Sequence, residues 1–231
     1  MPSDATPASA GETGPRGLIL DFAGVLTSDP REAQHAWCRS EGRRLYAALE
    51  TGKLAQAEWN RATAALLGPH VDPSNLMGRV WARVPVARGM VALARAARAA
   101  GHRLALLSNS FGLDPFNPYE HVGVWELFDV HVVSEQVGLA KPDPGIYQLA
   151  LDRLGLPPER CVFADDQAAN LVPAVAAGIA TVHVTDEAVA VDELTRQLGL
   201  RGLTPPPRPP RGRGLRAVAA PPPASGPDRP A

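Results

Sequence analysis

Five short apolar runs recur along the chain, each bounded by polar or turn-forming residues. They are GLILD (17–21), RLALLS (103–108), VHVVS (130–134), CVFAD (161–165) and ATVHV (180–184). Runs of this length, apolar throughout rather than alternating, predict strands buried on both faces. Between the later runs the apolar residues shift to helical spacing, in PGIYQLALDRLGL (144–156) and AANLVPAVAAGI (168–179), the second closing at Gly178. Strands that alternate with helices predict an α/β fold, a Rossmann-like parallel sheet with helical crossovers.

One connection is far too long for a crossover. Between Ser28 and Arg88 lie three further helical patterns: PREAQHAWCRSEGRRLYAAL (30–49), LAQAEWNRATAALLG (54–68) and SNLMGRVWARV (74–84). Trp37, Trp59 and Trp81, three of the four tryptophans, fall here at positions suited to a small helical core. Structureless loops of such length are rare. The segment therefore reads as an inserted α-helical cap (29–87) over an α/β core formed by 17–28 plus 88–200. ARGMVALARAARAAGHR (87–103) is the helix leading back to the sheet.

Composition narrows the class. The chain has 231 residues, a net charge of −1 and 45% apolar residues, values of a globular protein with a real core. No apolar stretch approaches the roughly 20 residues of a membrane span. The first residues, MPSDATPASAGETGPRG, resemble neither a signal nor a transit peptide. Cys38 and Cys161 are too few for a disulfide framework, so a cytoplasmic protein is expected. Residues 1–16 and 204–231 are expected to be disordered, the second as a Pro/Arg-rich tail with polyproline II character. The tail carries five Arg against one Asp, which leaves residues 1–203 with a net charge of −5. An acidic folded part argues against nucleic acid as a partner.

Ligands of open parallel sheets bind beyond the carboxyl ends of the strands. The polar residues that follow the apolar runs are Asp21 after the first, Ser108, Asn109 and Ser110 after the second, and Asp165 and Asp166 at the fourth. Lys141 lies in the turn KPDP after the third. Only Lys53 and Lys141 are lysines among 23 basic residues, so a lysine here suggests a need for a compact ammonium. Each residue alone has a plain structural reading: a strand-ending acid as a turn former, DDQAAN as a helix start, Lys141 as a solvated loop residue. Together at neighbouring strand ends they form a set that can hold a divalent cation and a phosphate. His35 and Cys38 share a helix face but two ligands do not make a zinc site. Arg43 and Arg44 read as a solvated face of the cap.

The order D-x-x-G-V-L, L-L-S-N-S, K-P-D-P and V-F-A-D-D-x-x-x-N resembles the haloacid dehalogenase-like hydrolase superfamily, in the form with a helical cap after the first motif. The likeness spans about residues 17 to 200. It implies a Mg²⁺-dependent phosphatase acting on a small phosphorylated metabolite, with Asp21 as the nucleophile that becomes an aspartyl phosphate. It implies Mg²⁺ held by Asp21, the backbone carbonyl of Ala23 and Asp166, with Asp165 orienting Lys141 or a metal-bound water. Ser108 and the amide of Asn109 would hold the phosphoryl oxygens, and Lys141 would neutralise nucleophile and developing charge. Asn170 would brace the Asp166 loop, and Gly24 would permit the tight bend after the nucleophile.

Most phosphatases of this superfamily carry a second Asp two residues after the nucleophile, as acid and base. Here that position is Ala23, and loss of a positioned acid–base typically costs about 10²- to 10⁴-fold in rate. Three explanations are open: substrates with good leaving groups, a proton from another group such as Asp29 or a cap residue, or a non-catalytic phospholigand-binding protein. Metal-independent 2-haloacid dehalogenases also lack the second Asp, but the paired Asp165 and Asp166 argue against that chemistry.

Overall fold

The computed structural model describes residues 16–28, 40–82 and 84–200. Apart from Arg16, the expected tails lie outside the described residues, as do Asp29, His35, Trp37 and Cys38. Strand β1 (Gly17–Leu20) is buried along its whole length. Helices α1 (Ser40–Glu50), α2 (Gln56–Leu67) and α3 (Leu76–Trp81) follow, and α4 (Arg88–Ala99) leads into β2 (Arg103–Ser108). Next come α5 (Pro118–Val122), a short 3₁₀ turn, β3 (Val130–Val133), α6 (Ser134–Val137) and α7 (Pro144–Leu154). A second 3₁₀ turn, β4 (Cys161–Asp165), α8 (Ala168–Ala176), β5 (Ala180–His183) and α9 (Glu187–Gln197) complete the described residues.

The strands form one sheet in the order β3-β2-β1-β4-β5, every pairing parallel. Successive side chains point to opposite faces. Leu18, Leu20, Leu104, Leu106, Val162 and Ala164 pack on one side with α4, α9 and the helices after β1. Ile19, Ala105, Leu107, Val132 and Phe163 pack on the other, against Ile146, Tyr147, Ala150 and Leu154 of α7. Burial on both faces explains why the strands are apolar throughout. The chain winds outward through β2 and β3, then returns to β1's other side for β4, so the ends of β1 and β4 lie together where the order reverses. That juncture is where open sheets of this kind bind ligands.

Several bounds differ from the sequence reading. Asp21 and Ser134 lie just beyond β1 and β3, the first still donating its N–H to the Ala164 carbonyl at 3.0 Å. The helix expected over 87–103 stops at Ala99, because Gly101 takes φ +86° and Arg103 already pairs in the sheet. The helix α9, which the sequence reading does not foresee, packs with α4 and β5. Trp81 packs on the loops after β1 and β2 and not only among the helices after β1. Its ring stacks on Phe22 at 5.2 Å and lies 5.5 Å from Phe111, while Trp59 meets Tyr46 edge-on.

The start of α4 lacks a cap of its own, since Ala87 has no side chain to accept a bond. Glu187 from the first turn of α9 supplies it. Its Oε1 accepts the N–H groups of Gly89 at 2.6 Å and Met90 at 3.1 Å. A carboxylate there satisfies two helix-end donors and meets the favourable end of the helix dipole. Glu187→Ala is expected to lower unfolding free energy by about 1–2 kcal/mol, measured by urea denaturation, and Glu187→Gln by less.

Candidate active site

The ends of β1 and β4 bring Asp21 beside Asp165 and Asp166, and the loop after α6 carries Lys141 in between. Lys141 Nζ lies 2.8 Å from Asp21 Oδ1 and 2.6 Å from Asp165 Oδ2. Side-chain exposure of the three is 1% for Lys141, 8% for Asp21 and 0% for Asp165. Burial pushes the Asp21 carboxyl up, to about 7, against the opposing pull of Lys141. Burial also works against the charge of Lys141, but Asp21 and Asp165 outweigh it and hold the ammonium above the ordinary lysine range. The ammonium also sits 5.5 Å from the centre of the Phe163 ring.

Asp165 is spoken for. Its Oδ1 accepts the Gln167 N–H at 2.8 Å, Asn170 Nδ2 donates to both oxygens at 3.0 Å, and Lys141 holds Oδ2. The Asn170 brace therefore acts on Asp165, one residue earlier than the sequence reading put it. Tyr147 completes the brace by donating to the Asn170 carbonyl at 2.7 Å. His183 Nε2 sits 2.9 Å from the Asp166 carbonyl oxygen.

After Asp21 the chain makes one tight turn. The Phe22 carbonyl accepts the N–H groups of Val25, Leu26 and Thr27, and Gly24 donates to Thr27 O. None of the bonds of this turn uses the Ala23 carbonyl oxygen. Gly24 adopts φ +90°, and a Cβ there would fall 2.5 Å from Asp166 Cγ. Only glycine lets the turn approach the Asp166 carboxyl this closely. Carboxylate oxygens of Asp21, Asp165 and Asp166 lie within 4.8 Å of one another. Hard oxygen donors at that spacing, beside a main-chain carbonyl that the turn's own bonds do not use, fit a small divalent cation such as Mg²⁺.

Ser108 ends β2, buried at 3% exposure. Asn109 uses its side chain on Lys141: Oδ1 accepts the Lys141 N–H at 2.8 Å and Nδ2 donates to the Lys141 carbonyl at 2.9 Å. This two-point clamp is absent from the sequence reading, which considers only the Asn109 main-chain amide. Tyr119 is a second omission. Its ring stands edge-on to Phe22 at 4.5 Å, and burial raises its phenol while the hydroxyls of Ser108 and Ser110 pull the other way. Nothing in the sequence around PYEHV marks it, because its neighbours are distant along the chain. Arg43 and Arg44 are exposed, and Arg44 pairs with Glu41 at 2.7 Å.

Acids, a lysine and a serine are thus brought together at the carboxyl edge of the parallel sheet. A family model described as haloacid dehalogenase-like hydrolase matches residues 15–178, and the chain belongs to that family. Similar curated proteins include bifunctional epoxide hydrolase 2 of Rattus norvegicus, 30% identical over 167 residues, covering 65% of this chain and 30% of that protein. Phosphorylated carbohydrates phosphatase of Thermotoga maritima is 33% identical over 81 residues, 35% of this chain and 38% of that one. The chain thus spans less than two fifths of either relative. A HAD family enzyme of Bacteroides thetaiotaomicron, solved in complex with magnesium and inorganic phosphate, superposes with a TM-score of 0.59 at 21% identity. That superposition covers 74% of this chain and 94% of the other.

Removing the ammonium leaves two buried carboxylates facing each other. Lys141→Met is expected to cost about 3–5 kcal/mol of stability near neutral pH, as breaking buried ion pairs does. The carboxyl groups then take up a proton more readily folded than unfolded, and such groups favour the fold as pH falls. Denaturation curves should accordingly show a smaller loss at pH 5 than at pH 8.

Proposed function

We propose that this protein is a Mg²⁺-dependent phosphatase that hydrolyses a small phosphorylated metabolite through an aspartyl phosphate on Asp21. The observation that carries the reading is the buried Lys141 ammonium, 2.8 Å from Asp21 and within the same carboxylate cluster. It fixes the Asp21 carboxyl at a strand end and opposes the burial that raises it, where an anionic phosphoryl group needs a cation to approach. A phosphatase-named relative and the magnesium and phosphate in a structural neighbour support the same chemistry.

In this reading Asp21, the Ala23 carbonyl and Asp166 would hold Mg²⁺, which when bound offsets the charge of the phosphoryl oxygens. Asp165 belongs to Lys141 rather than to the metal, because its oxygens are already engaged. Asp21 attacks phosphorus with one carboxylate oxygen, and the bond to the leaving oxygen breaks. Ser108 and the Asn109 amide bind the phosphoryl oxygens as charge shifts onto them. Water then opens the acyl phosphate, releasing phosphate and restoring Asp21. The helices α1 to α3 act as the lid that selects the organic part of the substrate.

Ala23 offers no proton in either half-reaction. The lid helices, or a leaving group that departs as a stable anion, make good the lack. A second reading, binding of a phosphorylated ligand without turnover, is favoured by this same alanine. Hydrolysis of p-nitrophenyl phosphate and of a sugar-phosphate panel separates the two. Turnover with Mg²⁺ that Asp21→Asn abolishes supports the enzyme; binding without turnover, even of activated esters, supports the binder. Ala23→Asp is expected to raise turnover of poor leaving groups by about 10²- to 10⁴-fold. Halide released from 2-haloacids without metal would point instead to a dehalogenase.

Mg²⁺ and protons compete for Asp21 on this account. Mg²⁺ is therefore expected to raise the melting temperature more at pH 8 than at pH 5.5, and a chelator to remove that gain, by differential scanning fluorimetry.

A further inference from the structure

Two buried hydrogen-bond bridges join the helices after β1 to the segment that follows Ser108. The first is Gln56, the opening residue of α2, 2% exposed. Its Oε1 accepts the Phe116 N–H at 2.9 Å and its Nε2 donates to the Phe116 carbonyl at 2.9 Å. The carbonyls of Gly112 and Phe111 lie 3.3 and 3.4 Å from the same nitrogen. The side-chain amide thus pairs with both main-chain groups of one residue, as a neighbouring strand would.

The second bridge is Ser134. Its Oγ accepts the Ser110 N–H at 2.9 Å and donates to the Glu50 carbonyl at 2.8 Å, where α1 ends. The following turn fits because residue 52 is glycine: a Cβ there would stand 2.8 Å from the Glu135 carbonyl oxygen. Both bridges grip residues 110–116 from the lid side.

That segment leads back to the reaction centre by adjacent contacts. Ser110 is bonded to Asn109, whose side chain clamps the main chain of Lys141 at both N–H and carbonyl. Lys141 in turn holds Asp21. Shifts of packed helices travel along contiguous networks of this sort, and a physical coupling is established only by measuring it. Nothing else in the motifs explains a buried glutamine at the start of α2, whose side-chain amide bonds outside the helix.

We propose that Gln56 is a positioning residue: it ties the lid helices to the phosphate-binding end of β2 and thereby sets the placement of Lys141. The inference rests on the phosphatase reading for what that end binds. Gln56→Met removes donors and acceptor at similar volume, and Ser134→Ala removes the other bridge with a smaller change in packing. Glu187→Ala is the control, since it weakens the fold at α4 without touching the network.

The test uses the full chain and two readouts: calorimetric binding of inorganic phosphate in Mg²⁺, and native-state amide exchange. Gln56→Met and Ser134→Ala are each expected to weaken phosphate binding about tenfold, within the range of known network couplings. Both should speed exchange at the amides of Ser110 and Lys141, and Glu187→Ala should do neither. Phosphate affinity equal to the control's, or faster exchange confined to Phe116 in Gln56→Met, overturns the proposal. If the wild type neither binds phosphate nor turns over any ester, the phosphatase reading falls, and exchange at Ser110 and Lys141 decides the positioning role alone.

Discussion

A lysine ammonium enclosed by two carboxylates is the arrangement on which this site depends. Taking such ions out of water costs several kcal/mol each, and their attraction offsets that cost only when the remaining polar atoms are satisfied. Asn170 and the Gln167 amide do this for Asp165, and the Asn109 side chain fixes the backbone from which Lys141 reaches in. The group as a whole still carries more negative than positive charge. An anionic remainder at Asp21 and Asp166 suits a divalent cation and then a phosphoryl group.

The fold is what makes the arrangement affordable in space. β1 and β4 are neighbours at the reversal of strand order, so Asp21 and Asp165 meet without any loop having to reach. The tight turn at Phe22 and Gly24 folds the chain over the Asp166 carboxyl. The aromatic seam of Phe22, Trp81 and Phe111 then places α3 directly against the residue that follows Asp21.

Much of this was legible in the sequence, because it depends on local patterns. Uninterrupted apolar runs announce doubly buried strands, and the polar residue after each run is the one that topology delivers to the crevice. Asp21, Ser108, Asp165 and Asp166 follow from that rule, and Lys141 stands out in a chain that otherwise uses arginine. What was not legible depends on pairs far apart along the chain. Glu187 caps a helix that starts 99 residues earlier in sequence order at Arg88, Gln56 completes a loop at Phe116, and Asn109 spends its side chain on Lys141. No periodicity or motif encodes such partners. Their residue types are ordinary, and only the third dimension gives them a role.

Ala23 keeps the main-chain carbonyl that a metal would use and lacks the carboxyl that proton transfer would use, so the two functions of that position are separated here. The central claim is that Asp21 forms a covalent bond to phosphorus. Mass spectrometry of a rapidly quenched reaction with an activated acyl phosphate and Mg²⁺ tests it directly. The account predicts a phosphoryl mass on the peptide containing Asp21, absent from Asp21→Asn. Release of phosphate with that peptide unmodified at every quench time, and with activity retained in Asp21→Asn, would contradict it.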